Sequence, residues 1–192
     1  IRAISIITPP LMIGLAFVSK DLVLLFFGTQ WNIVPDILVW LAPVAIMQSM
    51  VSTTGSVFMS NGRTNVLFMI SIYNAALQVG AFIIGGFYSI DVLIKLYLAA
   101  NVLMFIPNMY IAVKMLSGSF KQFIITISKP IFCALIMLFA LYFISTNIDE
   151  WISNLLLKVS VEIIFGLMVY CILITIIERK YILDKIKKTR KA

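Results

Sequence analysis

Amide and hydroxyl side chains sit in this sequence where they are costly, inside long apolar runs. Gln48, Ser52, Ser56 and Ser60 recur at every fourth residue of one run, with Ser49, Thr53 and Gly55 beside them. In a helix that spacing puts them on one face. A second run carries Ser71, Asn74 and Gln78, spaced by three and four. A third carries Tyr97, Asn101 and Asn108, spaced by four and seven, next to Pro107, which can bend a helix. Two chemistries suit such groups. Small residues let helix backbones approach and amides bridge them, or the same groups wall a water-filled cavity and hydrogen-bond a polar solute. Uncharged amides and hydroxyls suit a sugar-like solute better than an ion. Gln48, Ser52, Asn74, Gln78, Asn101 and Asn108 are the candidate cavity wall.

Catalysis finds no comparable support. The chain contains no histidine, so the commonest general base and metal ligand is missing. No acid stands mid-span beside a nucleophile, and Asp149 and Glu150 are adjacent, so their side chains diverge on a regular element. Gly85-Gly86 precedes no lysine placed for a phosphate cradle. Cys133 and Cys171 lie inside apolar runs without CxxC or metal-ligand spacing, and the sequence leaves their pairing open. The expectation is a protein that is not an enzyme, with no cofactor and no metal. Arg63, in the tight turn Ser60 to Thr64, has two readings. It is a positive anchor at a membrane edge, or a guanidinium contact to phosphate.

The elements that position these residues follow from composition. The 192 residues are 62% hydrophobic and 12% charged, with a mean hydropathy of +1.08. A water-soluble chain carries about twice that charge, so the solvent for most of this surface is lipid. A span needs about 20 apolar residues, and six stretches qualify: Ile4–Phe27, Ile37–Ser60, Asn65–Tyr88, Val92–Leu116, Phe123–Ser145 and Leu155–Ile177. Gly28 and Pro35, Asn61-Gly62, Ser117-Gly118-Ser119 and Thr146-Asn147 mark the joints. The fold class expected is all-α, a polytopic membrane protein of six transmembrane helices.

Cations orient it. With Ile1 inside, twelve of the 15 Lys and Arg fall on the cytoplasmic side, leaving Lys20, Lys95 and Lys158 outside with most of the acids, Glu162 among them. Trp31, Tyr88 and Trp151 then mark outer boundaries. Seven cations crowd into residues 179–192, read as a basic cytoplasmic tail and not as a nucleic-acid site, because cationic segments resist translocation. The chain starts at Ile1 and reads as a piece of a longer protein whose N-terminal part lies upstream.

The stretches Pro10 to Val18, Leu24 to Trp31, Ala42 to Val44 and Ser60 to Arg63 together resemble a known block. They are similar to the polysaccharide flippases of the multidrug/oligosaccharidyl-lipid/polysaccharide exporter superfamily, in the Wzx-type, colanic-acid-exporter-like branch. There a proline-bearing helix leads to "l-f-G-x-x-W" and then to a helix ending in "a-x-G-R", matched here by Phe26, Phe27, Gly28, Trp31, Ser60, Gly62 and Arg63. The resemblance implies two six-helix lobes plus trailing helices. Residues 1–116 would then be four helices from the last part of the second lobe, and 117–178 two additional helices. It further implies alternating access in the bacterial inner membrane, with polyprenyl-diphosphate-linked oligosaccharide and membrane lipids as partners. Its rivals are a multidrug or ion antiporter of the same superfamily, which ordinarily needs a mid-span acid, a membrane-embedded enzyme, and an inactive truncated relic.

Overall fold

In a computed structural model, residues 2–148 and 154–177 are described. Among them the chain is helical throughout: α1 (Arg2–Phe27), α2 (Val34–Val51), α3 (Thr54–Ser60), α4 (Thr64–Gly86), α5 (Ile90–Met115), α6 (Phe120–Ile148) and α7 (Leu155–Ile177), with a 3-10 turn at Thr29–Trp31. Six spans are long and apolar enough to cross a membrane, α2 and α3 together forming the second. The expected fold class and span number therefore hold. Asp149, Glu150, Trp151 and the basic tail, for which the sequence carries expectations, lie outside the described residues.

Local sequence sets the helix ends. Gly28 follows α1 with φ +80°, a backbone that costs glycine little. Its N–H returns to the Val23 carbonyl at 3.1 Å. Pro35 and Asp36 open α2, where a missing N–H and a negative charge both suit a helix start. Ser89 caps α5, its Oγ accepting from Val92 N–H at 3.3 Å.

Helix α1 is the hub, packing against α2, α6 and α7, while α5 packs against α2, α3 and α4. One core joins Ile6 and Ile13 of α1 to Cys133 and Met137 of α6 and Tyr170 and Ile174 of α7. A second gathers Ile46, Met50, Met109 and Ile127, and a third Phe58, Ile70 and Ala112. Outside these cores large side chains stand bare, among them Phe68, Phe87, Phe139 and Phe143. Such a surface is a liability in water, but lipid tails solvate it. Cys133 is buried in α6 and Cys171 exposed on α7, with no disulfide between them.

Several prolines lie inside helices, and each removes the N–H that would bond the carbonyl four residues back. At two of them a tyrosine from a neighbouring helix takes over. Pro10 orphans the Ile6 carbonyl, which accepts from the Tyr170 hydroxyl of α7. Pro107 orphans the Leu103 carbonyl, which accepts from the Tyr73 hydroxyl of α4 at 3.3 Å. Lipid offers no substitute donor, so neighbouring helices must supply one. Tyr170→Phe is expected to cost about 1–3 kcal/mol, because Tyr170 is buried, and Tyr73→Phe less, because Tyr73 is exposed. In a Pro10→Ala background the Ile6 carbonyl recovers its helical partner, so Tyr170→Phe there should cost little. Thermal unfolding of full-length protein in detergent reads this cycle, and equal costs in both backgrounds would refute it.

The second span departs from the expected continuous helix, breaking at Ser52–Thr53 between α2 and α3. The densest part of the hydroxyl series coincides with the break. Ser49, Ser52, Thr53, Thr54 and Ser56 each donate to the carbonyl three residues back, at 2.7–2.8 Å. Such back-bonding competes with the helical ladder and bends it. At the break Thr53 N–H reaches the Met50 carbonyl, three residues back, at 3.2 Å.

Candidate functional site

Four of the six candidate wall residues meet in two clusters strung along α5. In the first, Gln48 of α2 donates through Nε2 to the Tyr97 hydroxyl at 2.7 Å and to Asn101 Oδ1 at 3.0 Å. Asn101 Nδ2 turns back to the Tyr97 carbonyl at 2.8 Å. The Phe82 ring of α4 rests against Tyr97, centroids 5.2 Å apart. Three helices thus meet at one tyrosine that the sequence reading placed on the stripe but left out of the candidate wall.

The second cluster lies two helical turns further along α5, roughly 10 Å away. Asn108 Nδ2 donates to Asn74 Oδ1 of α4 at 3.0 Å and to the Met104 carbonyl at 2.7 Å. Asn101 and Asn108 are 3% and 1% exposed, whereas Gln48, Asn74 and Gln78 are half-buried and Ser52 is exposed. Each cluster therefore has one amide buried in α5 and one on a neighbouring helix, half open to the surroundings. Gln78 follows Asn74 by one turn on the same face of α4. Ser52 and Ser56, whose size suits close packing, are exposed on this chain.

Charge is sorted by helix end. Asp21, near the end of α1, pairs with Lys158, near the start of α7, at 2.9 Å. At the same end of the bundle the Lys95 ammonium of α5 lies 5.7 Å above the Trp40 ring of α2. Trp31 and Tyr88 are exposed at this end too, as interfacial aromatics are.

One acid corrects the sequence reading. Glu162, counted there with the acids of the outer side, lies about 10 Å into α7 and is 1% exposed. It lines a cavity of about 200 Å³ with Pro10, Gly14 and Val18 of α1, Leu141 of α6 and Gly166 of α7. Lys158, tied to Asp21, stands one turn earlier on the same helix face. The expected span Leu155–Ile177 thus includes a buried acid, Glu162. The spacing Lys158-x-x-x-Glu162 inside an apolar run was the available signal.

Arg63 occupies the α3–α4 turn, exposed, at the end of the bundle opposite the Asp21–Lys158 pair. Among the described residues no group of His, Cys, Asp or Glu is arranged to hold a metal ion.

The sequence of residues 10–63 singled out one set of proteins, and direct comparison returns the same direction. Over 137 residues the chain is 27% identical to the lipopolysaccharide biosynthesis protein WzxC of Escherichia coli K12, covering 70% of this chain and 28% of WzxC. The chain is similar to WzxC. It is also 22% identical over 182 residues to the teichuronic acid biosynthesis protein TuaB of Bacillus subtilis 168, covering 90% of this chain and 36% of TuaB. These likenesses, to proteins of polysaccharide biosynthesis, uphold the resemblance read from Pro10 to Arg63. With six apolar spans beside them, the chain is a multi-pass membrane protein. It spans about a third of the length of the curated relatives it matches. No family model matches the sequence, and no solved structure matches it significantly.

Proposed function

We propose that this chain is part of a transporter that flips polyprenyl-diphosphate-linked oligosaccharide across the bacterial cytoplasmic membrane for surface polysaccharide synthesis. The observation that carries the reading is the likeness to WzxC and TuaB, which together cover nearly all of the apolar spans. The physical service is to spare a polar headgroup bare passage through hydrocarbon.

In this reading α1 to α5 are the last four spans of one lobe, α6 and α7 are two trailing helices, and both chain ends face the cytoplasm. The half-open amides Gln48, Asn74 and Gln78, backed by Asn101 and Asn108 and continued by Ser52, form the wall that hydrogen-bonds the sugar, and the polyprenyl tail stays in lipid. Arg63, at the cytoplasmic mouth, meets the diphosphate. A second lobe comes from the part of the protein outside this chain, and rocking of the two lobes alternates access. The break at Ser52–Thr53 supports that motion, because an interrupted helical ladder bends more readily than a continuous one.

The test is genetic and chemical together. The full-length protein is expected to restore surface polysaccharide in a strain lacking its exporter and to clear the lipid-linked oligosaccharide accumulated in the inner leaflet. Correctly inserted protein that leaves the accumulation unchanged would overturn the reading.

A further inference from the structure

The α3–α4 turn and the last turn of α5 enclose a basic recess. Gly62 turns the chain with φ +66°. Its N–H donates to the Met59 carbonyl at 3.0 Å, and the Arg63 N–H to the Phe58 carbonyl at 2.9 Å. Phe58 is fully buried, packed with Ile70 of α4 and Ala112 of α5. The turn is thereby pinned to α5, which fixes where Arg63 leaves the backbone. Lys114 stands in the last turn of α5. Arg63, Lys114, Asn61, Ile111 and Met115 line a cavity of about 430 Å³.

Three features of this cavity agree on the sign and shape of a ligand. Two cations reach it from different elements, one a planar fork and one a point charge. The long helix α4 begins beside it, so the positive end of that helix adds to the field. All acids among the described residues, Asp21, Asp36, Asp91 and Glu162, lie toward the opposite end of the helices and do not offset that charge. Beside the amide of Asn61, Ile111 and Met115 give the wall an apolar part, as the edge of a lipid site has.

We propose that this recess binds the phosphate of an anionic lipid headgroup, Arg63 engaging two of its oxygens and Lys114 supplying the second charge, with Ile111 and Met115 against the adjoining apolar chain. Two sources share that chemistry. One is a membrane glycerophospholipid. The other is the diphosphate of a polyprenyl-linked cargo, and that source alone rests on the transport reading above.

Full-length protein in detergent is titrated with phosphatidylglycerol, and bound lipid is counted by native mass spectrometry. At about five-fold per cation, Arg63→Gln and Lys114→Gln should each weaken binding by that factor and the double variant by roughly 30-fold. Lys121→Gln, which removes a cation from the same end of the bundle but outside the recess, should change it less than about two-fold. Both target side chains are exposed, and the single variants stand in if the double variant does not fold. Single or double variants within two-fold of wild type would overturn the site, as would a loss in Lys121→Gln equal to that in Arg63→Gln. Competition then assigns the source. Polyprenyl diphosphate displacing phosphatidylglycerol, where uncharged polyprenol does not, supports the cargo source; failure of the diphosphate to compete refutes it and leaves a glycerophospholipid site. A full-length protein that fails to restore export yet retains phosphatidylglycerol through Arg63 and Lys114 separates failure of the transport reading from failure of this one.

Discussion

Replacing Gln48, Asn74, Gln78 and Asn101 together by leucine in the full-length protein is expected to reduce oligosaccharide export by about 100-fold or more. Each hydrogen bond to a sugar hydroxyl is worth about 1 kcal/mol net, and several lost together exceed two factors of ten. The same amides also tie helices, so stability has to be read beside transport. Asn108→Leu alone strands Asn74 against an apolar side chain and should cost about 1–3 kcal/mol, because its Nδ2 holds both Asn74 and the Met104 carbonyl. Asn74→Leu with Asn108→Leu removes both partners and should fall closer to neutral. A double variant that is stable yet inactive assigns the amides to cargo. A quadruple variant that exports at the wild-type rate shows that they serve helix packing alone.

The second large effect is steric. A Cβ on Gly85 would stand 2.4 Å from Leu93 Cα and 2.8 Å from Leu93 Cβ. Leu93 Cα belongs to the backbone of α5 and cannot turn aside as a side-chain tip would, so Gly85→Ala must force α4 and α5 apart. The expected cost is about 3 kcal/mol, the upper part of the usual overpacking range. It should be read as a lower thermal midpoint and a lower yield of monodisperse full-length protein. Gly86→Ala is the matched control, since nothing lies within 4 Å of its added Cβ. Equal behaviour of the two variants would mean that the α4–α5 approach is not as close as described. Because α4 and α5 carry Asn74, Gln78, Asn101 and Asn108, the same strain should also disturb the Asn74–Asn108 bridge.

The polar stripes were legible as residues but not as partnerships. Spacing alone put Gln48 on one face of its helix and Asn101 on one face of another. It could not say that these faces meet, still less that Gln48 bonds Asn101 and the Tyr97 hydroxyl together. Asn74 and Asn108 show the same limit, since their bond spans 34 positions of sequence. The hydroxyl stripe of the second span reads from spacing as a packing face or a cavity wall, and spacing says nothing of what it does to its own backbone. Five of its side chains donate to carbonyls three residues back where one helix ends and another begins. Glu162 shows a related limit. Counting charges gives the side of the membrane it lies toward, and only the helices packed around it show it to be buried in a cavity with Gly14 and Leu141.

Amino-acid order by itself determined the solvent, the number of spans and their approximate limits. A run of about 20 apolar residues has one stable solution in hydrocarbon, a helix that closes its own backbone hydrogen bonds. It also carried the block from Pro10 to Arg63 by which relatives are found. The tertiary structure alone decided which helices touch, that two proline-orphaned carbonyls are served by Tyr170 and Tyr73, and that Arg63 and Lys114 share one cavity. The reason is that lipid solvates every apolar helix face nearly equally. Which faces pair is then settled by close approach at small residues and by a few polar contacts between distant positions, neither of which has a local signature.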